Sequence, residues 1–199
     1  MAQPSHRLII AITGASGVRY GVRLLELLQP LEIETHLVLS RTAEVTLACE
    51  TDLKIGQVQA LADQWYPATD MAAAISSGSF RTMGMIVAPC SVRSMSEIAT
   101  GVTTSLVTRA ADVVLKERRR LVLMVRETPL HTGHLRTMTQ LSEMGAIIAP
   151  PVPAFYAKPA SLEAMVDHTL GRVLDLFDID VDSVTRWGGS RQPRAKRKD

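Results

Sequence analysis

Short apolar runs alternate with segments of helical periodicity along most of the chain. The apolar runs predict strands at residues 7–13, 34–39, 85–89, 121–125 and 146–149. Apolar residues at helical spacing predict helices near residues 18–29, 43–49, 95–100, 106–117, 134–143 and 162–177. Strands that alternate with helices in this way form parallel sheets with right-handed crossovers. The pattern therefore predicts a single α/β domain over residues 1–189.

The first predicted strand ends in a turn of small residues. Gly14, Ser16 and Gly17 separate its apolar run from the first helix. The glycines let the backbone approach a ligand closely, Ser16 adds a hydroxyl donor, and a helix N-terminus favours an anion. The turn therefore predicts phosphate binding. It differs from the Gly-x-Gly-x-x-Gly fingerprint, however, and glycines at such a position often serve only to turn the chain.

Polar residues follow the other predicted strands as well. Ligands of parallel sheets bind outside the carboxyl ends of the strands, so we expect these residues to line one crevice. They are Ser40, Ser91 to Ser94, the adjacent Arg126 and Glu127, and residues 150–156. Ser40, Ser91 and Ser94 are also suited to capping the helices that follow them, and this structural role stays open beside the binding role.

Composition narrows the class of protein. No apolar run in the 199 residues approaches the length of a membrane span, and the N-terminus lacks the pattern of a signal peptide. We therefore expect a cytoplasmic protein without a membrane partner. Cys49 and Cys90 lie in apolar stretches, which indicates structural thiols and no metal site.

The net charge of +2 arises in residues 190–199, which carry five cations and one carboxylate and leave a net charge of −2 on the rest. A short basic tail of this kind is typical of a flexible, solvated terminus. Aromatic residues make up only 4% of the chain and offer little stacking surface for single-stranded nucleic acid. We expect no nucleic-acid partner.

Nine short motifs, distributed over most of the chain, carry a specific resemblance. They are Thr13-Gly-Ala-Ser16, Glu50-Thr-Asp52, Ser77-Gly-Ser79, Pro89-Cys-Ser91, Arg109-Ala-Ala-Asp112, Leu115-Lys-Glu-Arg118, Arg126-Glu127-x-Pro129, Phe155-Tyr156 and Arg186-Trp187-Gly188. In order and approximate spacing they resemble the UbiX-type flavin prenyltransferases. The resemblance implies a Rossmann-like, flavodoxin-like fold, a three-layer doubly wound parallel sheet, in subunits that assemble into dodecamers.

The resemblance also implies an activity that needs no metal. Members of this family join a dimethylallyl group from dimethylallyl phosphate to N5 and C6 of reduced FMN. The product, prenylated FMN, is the cofactor of UbiD-type decarboxylases, which are thus the implied recipients. By the same resemblance, the residues that contact FMN are Gly14, Ala15, Ser16, Ser40, Ser91, Val92, Arg93, Ser94 and Arg126. Those that contact the prenyl phosphate are Ser77, Gly78, Arg109, Lys116, Glu127, Tyr156 and Arg172.

The resemblance implies four catalytic residues: Ser16, Glu50, Glu127 and Lys116. Glu50 with Ser16 resembles the family's pair beside the flavin ring, suited to relaying a proton. Glu127 is the candidate proton donor to the phosphate, and Lys116 is a cation for the charge that develops on the leaving group. Arg109 and Arg172 supply further cations, so a metal is not required.

Each assignment has a structural alternative. Arg109 and Lys116 lie seven residues apart on one helical face, where surface ion pairs are ordinary, and Glu127 is also placed to pair with Arg126 or Arg118. Tyr156, after an aromatic neighbour, is suited to packing. Trp187 is expected to form a wall of the site or a subunit contact.

The sequence departs from the commoner family pattern at two places. Some members carry a tryptophan before the Ser-Gly-Ser loop, where this chain has Met71, whose flexible thioether is suited to covering an allyl group. In the stretch His131-Thr-Gly-His134, Gly133 is expected to loosen the start of the following helix. Residues 76–81 are most similar to members encoded beside decarboxylases of phenolic acids.

Two other functions are weighed against prenyl transfer. A flavin carrier for a decarboxylase would keep the FMN residues and dispense with Arg109, Lys116, Glu127 and Arg172, all of which are present. A flavin-dependent cysteine decarboxylase would need a catalytic histidine early in the chain, where His36 instead lies in a strand pattern. Because the substrate residues are split between a central helix and the last quarter of the chain, we expect more than one subunit to complete the cavity.

Overall fold

The chain folds around a six-stranded parallel sheet. A computed structural model describes residues 6–182, 184 and 186. The strands are β1 (Arg7–Ile12), β2 (Glu34–Leu39), β3 (Gln64–Pro67), β4 (Gly84–Cys90), β5 (Arg120–Val125) and β6 (Ile147–Ile148). Their order in the sheet is β3-β2-β1-β4-β5-β6, and all neighbours are parallel. The strand order reverses between β1 and β4, which confirms a doubly wound, Rossmann-like sheet.

Helices cover both faces of the sheet. They are α1 (Val18–Leu28), α2 (Arg41–Glu50), α3 (Ile55–Gln59), α4 (Val92–Thr100), α5 (Leu106–Lys116), α6 (Thr132–Glu143) and α7 (Leu162–Leu174). Successive residues of β1 serve different cores, because side chains alternate across a strand. Ile10 packs with residues of α1, α2 and α7, whereas Ile9 packs with residues of α4, α5 and α6. The three-layer architecture is thereby confirmed.

Hydroxyl and imidazole caps explain why three helices begin earlier than their apolar spacing predicts. The side chains of Ser40 and Ser91 accept hydrogen bonds from the first turns of α2 and α4. His131 accepts from the N–H groups of Gly133 and His134 at the start of α6. With this cap in place α6 begins at Thr132, one residue before Gly133; that Gly133 loosens the start of the helix stays a prediction.

One strand and one α-helix have no counterpart in the sequence-based prediction. β3 is an edge strand of four mostly exposed residues and ends at Pro67, so it lacks the apolar run of a buried strand. The helix α3 has five residues and buries only Val58. The predicted helix at residues 162–177 ends instead at Leu174 and continues as a 3₁₀ turn, Asp175–Phe177.

The two cysteines have different environments. Cys90 is buried, and burial raises the pKa of its thiol to about 12, in keeping with a structural thiol. Cys49 is exposed, so the expectation of an apolar environment is wrong there. It lies on the outer surface of α2, a helix that buries only Ala43 and Leu47.

No helix within the described part of the chain is long and apolar enough to cross a membrane. Trp187 and the basic tail at residues 190–199 lie outside the described residues. We call the edge of the sheet at which the strands begin the amino edge, and the opposite edge the carboxyl edge.

Candidate active site

The crevice lies at the carboxyl edge, between β1 and β4. The buried hydroxyl of Thr13, just after β1, donates to the carbonyl oxygen of Pro89 at 2.8 Å and accepts from the N–H of Ser91 at 2.8 Å. Thr13 therefore joins the turns that follow the two strands. Thr13 belongs to the Thr-Gly-Ala-Ser motif, and this was the only sign of its role in the sequence. The sequence-based assignment of binding residues did not include it.

The N-terminus of α1 binds a carboxylate of the chain itself. Glu50, the last residue of α2, accepts from the N–H of Gly17 at 2.9 Å and from the N–H of Val18 at 3.0 Å. Partial burial favours its neutral form, but the Ser16 hydroxyl and these N–H groups outweigh burial and hold the pKa of Glu50 below its ordinary value. Glu50 is therefore an anion at neutral pH.

This arrangement contradicts the predicted phosphate cradle and supports the predicted pair of Glu50 and Ser16. The first N–H groups of α1 do not form an open phosphate cradle, because Glu50 already occupies them. The predicted pair of Glu50 and Ser16 is present, and it lies beside the crevice. The sequence could not place this carboxylate at the turn, since 33 residues separate Glu50 from Gly17.

The turn after β1 packs closely on the start of α2. A side chain at Gly14 would overlap Cβ and Oγ1 of Thr42. The Ser40 hydroxyl caps α2 at Ala43 N, 3.1 Å away, and lies 3.1 Å from Thr42 Oγ1. Ser40 is half-buried, so the capping role is confirmed while its hydroxyl stays at the crevice.

The turn after β4 supplies hydroxyls from the other side. Ser91 Oγ accepts from the N–H of Ser94 at 3.2 Å and donates to Ser94 Oγ at 3.1 Å, so Ser91 caps α4. Val92 is half-buried, and the exposed Arg93 pairs with Glu97 at 2.9 Å.

Arg126 completes the crevice after β5. Its N–H donates to the carbonyl oxygen of Cys90 at 3.1 Å, and its side chain is exposed. Tyr20 of α1 is a neighbour that the sequence did not indicate: burial raises the pKa of its hydroxyl, and the charge of Arg126 opposes that rise. The strand ends therefore bring together all the residues predicted to contact FMN, which are Gly14, Ala15, Ser16, Ser40, Ser91, Val92, Arg93, Ser94 and Arg126.

A second group of predicted residues lies on α5 and on the loop of residues 76–80, which we call the Ser-Gly-Ser loop. Arg109 Nε donates to the carbonyl oxygen of Ser76 at 3.1 Å, and its NH1 group binds Asp112 at 2.8 Å. Lys116 Nζ binds Glu117 Oε1 at 2.6 Å. An added Cβ at Gly78 would overlap Glu117 Oε1 and lie 2.8 Å from Lys116 Nζ, so the loop packs directly on this ion pair.

Topology separates part of this second group, Lys116 and Gly78, from the crevice. The first residue of α5, Leu106, donates to Ala68 just after the end of β3, so the helix starts at the carboxyl edge. Lys116 is its last residue, about 15 Å further along the helix axis, and β5 begins at the amino edge four residues later. Within one chain, Lys116 and Gly78 thus lie toward the edge opposite Ser16.

A third group surrounds a cavity of about 290 Å³ beside α7. Tyr156 and Arg172 line it together with the buried His168, whose Nε2 atom is 3.4 Å from the Tyr156 hydroxyl. Arg172 forms an ion pair with Asp175. This cavity brings Tyr156 and Arg172 together, as the resemblance implies.

The remaining candidates differ in exposure and in their contacts. Glu127 is half-buried and accepts from the N–H of Thr128 at 2.9 Å. Met71 is 43% exposed. His36 is buried in β2, where its Nδ1 atom lies 2.9 Å from the Tyr66 hydroxyl, so its predicted place in a strand is confirmed. No group of three or more histidine, cysteine or acidic side chains within the described ranges is placed to hold a metal ion.

The fold and the crevice define a Rossmann-like α/β protein with a ligand site at the topological switch point of its sheet. Residues 2–187 match the Flavoprotein family. Flavin prenyltransferase UbiX of Escherichia coli (strain K12) is 58% identical over 187 residues, which cover 92% of this chain and 99% of the relative. Flavin prenyltransferase UbiX of Thauera aromatica is 50% identical over 186 residues, covering 94% and 96%. The chain therefore belongs to the Flavoprotein family, and within it to the UbiX-type flavin prenyltransferases.

Solved structures agree with this assignment. The crystal structure of AnUbiX (PadA1) in complex with FMN and dimethylallyl pyrophosphate has a TM-score of 0.91 and 51% identity, and the match covers 93% of this chain and 98% of that one. A dodecameric FMN-dependent UbiX-like decarboxylase from Escherichia coli O157:H7 has a TM-score of 0.90 and 49% identity, covering 92% and 100%. Peptidyl-cysteine decarboxylase EpiD, at 15% identity and a TM-score of 0.58, shares the fold alone.

Proposed function

We propose that this chain is a flavin prenyltransferase that joins the dimethylallyl group of dimethylallyl phosphate to N5 and C6 of reduced FMN. The observation that carries the proposal is the Glu50 and Ser16 pair, held beside a crevice whose four strand ends supply hydroxyls and a guanidinium. Relatives with 50% to 58% identity are named flavin prenyltransferases, and the AnUbiX crystal contains both FMN and a prenyl donor.

The donor set of the crevice fits FMN. Ser40 and Ser91 place hydroxyls on either side of the Gly14 turn, and Arg126 adds a cation at the open end. Hydroxyls and a guanidinium are the groups that hold a phosphate monoester and the polar edge of a ring. FMN, when reduced, supplies the nucleophilic nitrogen and carbon of the reaction.

Glu50 is suited to accepting the proton that the reaction releases. Its carboxylate is ionised at neutral pH, because the Ser16 hydroxyl and two N–H groups stabilise the anion despite partial burial. The Ser16 hydroxyl stabilises the carboxylate and lies exposed in the turn after β1, which places it to link the reacting position to Glu50. The pair therefore holds and moves a proton without a change of backbone position.

The prenyl phosphate is bound by groups on α5 and α7 together with Tyr156 and Glu127. Arg109, Lys116 and Arg172 stabilise the charge that develops on the leaving phosphate, and Tyr156 donates a hydroxyl. Glu127 returns a proton to that phosphate. The role of each residue is inferred from the family resemblance and from these positions. A flavin carrier would not need Arg109, Lys116, Glu127 and Arg172, and the chain has all four.

The separation of the Lys116 group from the crevice supports a site shared between subunits. One chain places Lys116 toward the amino edge, while Ser16 lies at the carboxyl edge. A neighbouring subunit brings the second group to the crevice in an oligomer, and the related Escherichia coli protein is dodecameric. A dodecamer of this chain would form twelve such sites.

The proposed product, prenylated FMN, is a cofactor for another enzyme. Prenylated FMN passes to a UbiD-type decarboxylase, and this chain acts upstream of it in the cytoplasm. Residues 1–189 form the catalytic domain, and the basic residues 190–199 are a terminal extension of it.

The mass of the released flavin tests the proposal. Anaerobic incubation with reduced FMN and dimethylallyl phosphate should yield a flavin heavier by one isoprene unit, and dimethylallyl pyrophosphate is run in parallel to identify the donor. A carrier would return FMN of unchanged mass. The variants Lys116→Ala and Glu127→Gln should keep FMN bound but slow product formation by about one to three orders of magnitude.

A further inference from the structure

Arg119, between α5 and β5, is a half-buried cation to which the motifs assign no role. Its side chain is 16% exposed. Its NH1 group donates to the carbonyl oxygen of Phe80 at 2.7 Å, and its NH2 group donates to that of Gly78 at 2.7 Å. One planar guanidinium thus holds two backbone positions of the Ser-Gly-Ser loop.

These contacts determine which polar groups the loop presents. Arg109 binds the carbonyl oxygen of Ser76, so three carbonyl groups of the loop face arginines. A trans peptide directs its N–H opposite to its carbonyl. The N–H of Ser79 is accordingly turned away from Arg119 and toward the Ser77 hydroxyl, 3.4 Å away. Ser77 and Ser79 are exposed, and their hydroxyls lie 2.9 Å apart.

The loop is also held from the sheet. The Arg7 guanidinium carbon lies 4.7 Å from the centre of the Phe80 ring, and the buried His36 ring meets that ring edge-on at 5.1 Å. On its other side Gly78 packs on the Lys116 and Glu117 ion pair. A displacement of the loop would therefore also displace the Lys116 ammonium.

We propose that Arg119 is the positioning residue of the prenyl-phosphate site. It keeps the carbonyl oxygens of Gly78 and Phe80 turned inward, so that hydroxyl and N–H donors, and not acceptors, face the incoming phosphate. Arg119 itself does not contact the donor; it acts through the loop and through Lys116. This inference rests on the proposed function, because that function makes the loop a phosphate site.

The test compares Arg119→Ala and Arg119→Lys with the control Arg118→Ala. Arg118 is the adjacent, exposed arginine, so the control removes the same charge without the loop contacts. Dimethylallyl phosphate binding is measured by calorimetry in the presence of FMN, and KM and kcat are measured by turnover. FMN affinity is measured separately.

Arg119→Ala should raise both the Kd and the KM for dimethylallyl phosphate about tenfold or more, since two charge-assisted hydrogen bonds are lost. Its FMN affinity should stay within about twofold of wild type, as expected for a change that spares the crevice. Arg119→Lys should not restore donor affinity, because one ammonium does not reproduce the fork. Added guanidinium ion should partly restore Arg119→Ala.

Donor affinity equal to that of Arg118→Ala would overturn the proposal, and so would a parallel loss of donor and FMN affinity. If Arg119→Ala does not fold, Arg119→Lys gives the decision: it keeps the charge and the aliphatic stem but not the fork, so donor binding should weaken selectively, and unchanged donor binding refutes the inference. If the wild-type protein binds the donor but does not transfer its prenyl group, the proposed function is refuted. The effect of Arg119 on the Kd for the donor can still be measured in that case. A wild-type protein that does not bind the donor refutes both.

Discussion

At the scale of single residues, the carboxylate of Glu50 links the fold to the proposed chemistry. Its pKa is lowered because the Ser16 hydroxyl and the N–H groups of Gly17 and Val18 outweigh the effect of burial. A lowered pKa in the folded state means that the ionised form stabilises the fold. This stabilisation is present above the ordinary pKa of 4.5 and is lost as the pH falls through the lower value of the folded state.

Glu50→Gln should therefore be less stable than wild type near neutral pH, and the difference should shrink as the pH falls below about 4.5. Urea unfolding at several pH values measures this difference. Glu44→Gln is the control, because it removes a carboxylate from the first turn of the same helix and leaves the contacts of Glu50 with Gly17 and Val18 in place. A stability difference that is the same at all pH values would mean that the charge of Glu50 does not contribute.

Ser16→Asp tests the crevice at the same scale. A second carboxylate beside Glu50 would repel it and the anionic flavin, so FMN occupancy should fall strongly while the fold survives. The absorbance of the purified protein gives the flavin stoichiometry. Ser16→Ala, which adds no charge, should lose much less FMN. A variant that stays yellow with full stoichiometry would remove this turn from the FMN site.

At the scale of elements, capping side chains set where helices start. His131→Ala would leave the N–H groups of Gly133 and His134 without their acceptor and should destabilise the protein by about 1 kcal/mol. Chemical denaturation measures the loss. Thr132→Ala, at the next residue, keeps the imidazole cap and should have little effect. Equal losses in both variants would contradict the capping role of His131.

The elements also show how far the sequence reaches. Buried strands such as β1 and β4 are predictable because their apolar runs are continuous. β3 is not predictable in this way, because an exposed edge strand needs no run of apolar residues. The residues of the crevice follow from a rule about strand ends and are found together as predicted. The rule does not predict the contacts of Glu50 and Arg119, because their partners are distant in the sequence.

At the scale of the whole molecule, the amino and carboxyl edges hold different parts of one proposed reaction. Neither the periodicity nor the motifs could reveal this separation, because both describe order along the chain and not distance across it. The fold shows Lys116 toward one edge and Ser16 at the other. We therefore expect that assembly of subunits completes the proposed site.

Mixing of variant subunits tests the shared site. Lys116→Ala and Tyr156→Phe subunits, each impaired alone, are dissociated, mixed and reassembled. If the two residues come from different subunits, random mixing should restore about a quarter of the sites. Lys116→Ala mixed with Arg109→Ala is the control, because both residues lie on α5 of the same subunit and no intact site can form. No recovery in the first mixture, or full activity of a monomer, would refute the shared site.

Each cation assigned to the phosphate already holds a carboxylate: Arg109 holds Asp112, Lys116 holds Glu117 and Arg172 holds Asp175. In the proposed site, donor binding would consequently be an exchange of anions, in which the carboxylates of the chain are replaced by the phosphate of the donor. Exposed ion pairs are weak, so the exchange is easy in both directions. After transfer, inorganic phosphate no longer has the prenyl chain to anchor it, and the same carboxylates compete for its place. The carboxylates that the donor displaces would thus displace inorganic phosphate after the reaction, and the three ion pairs would form again in each catalytic cycle.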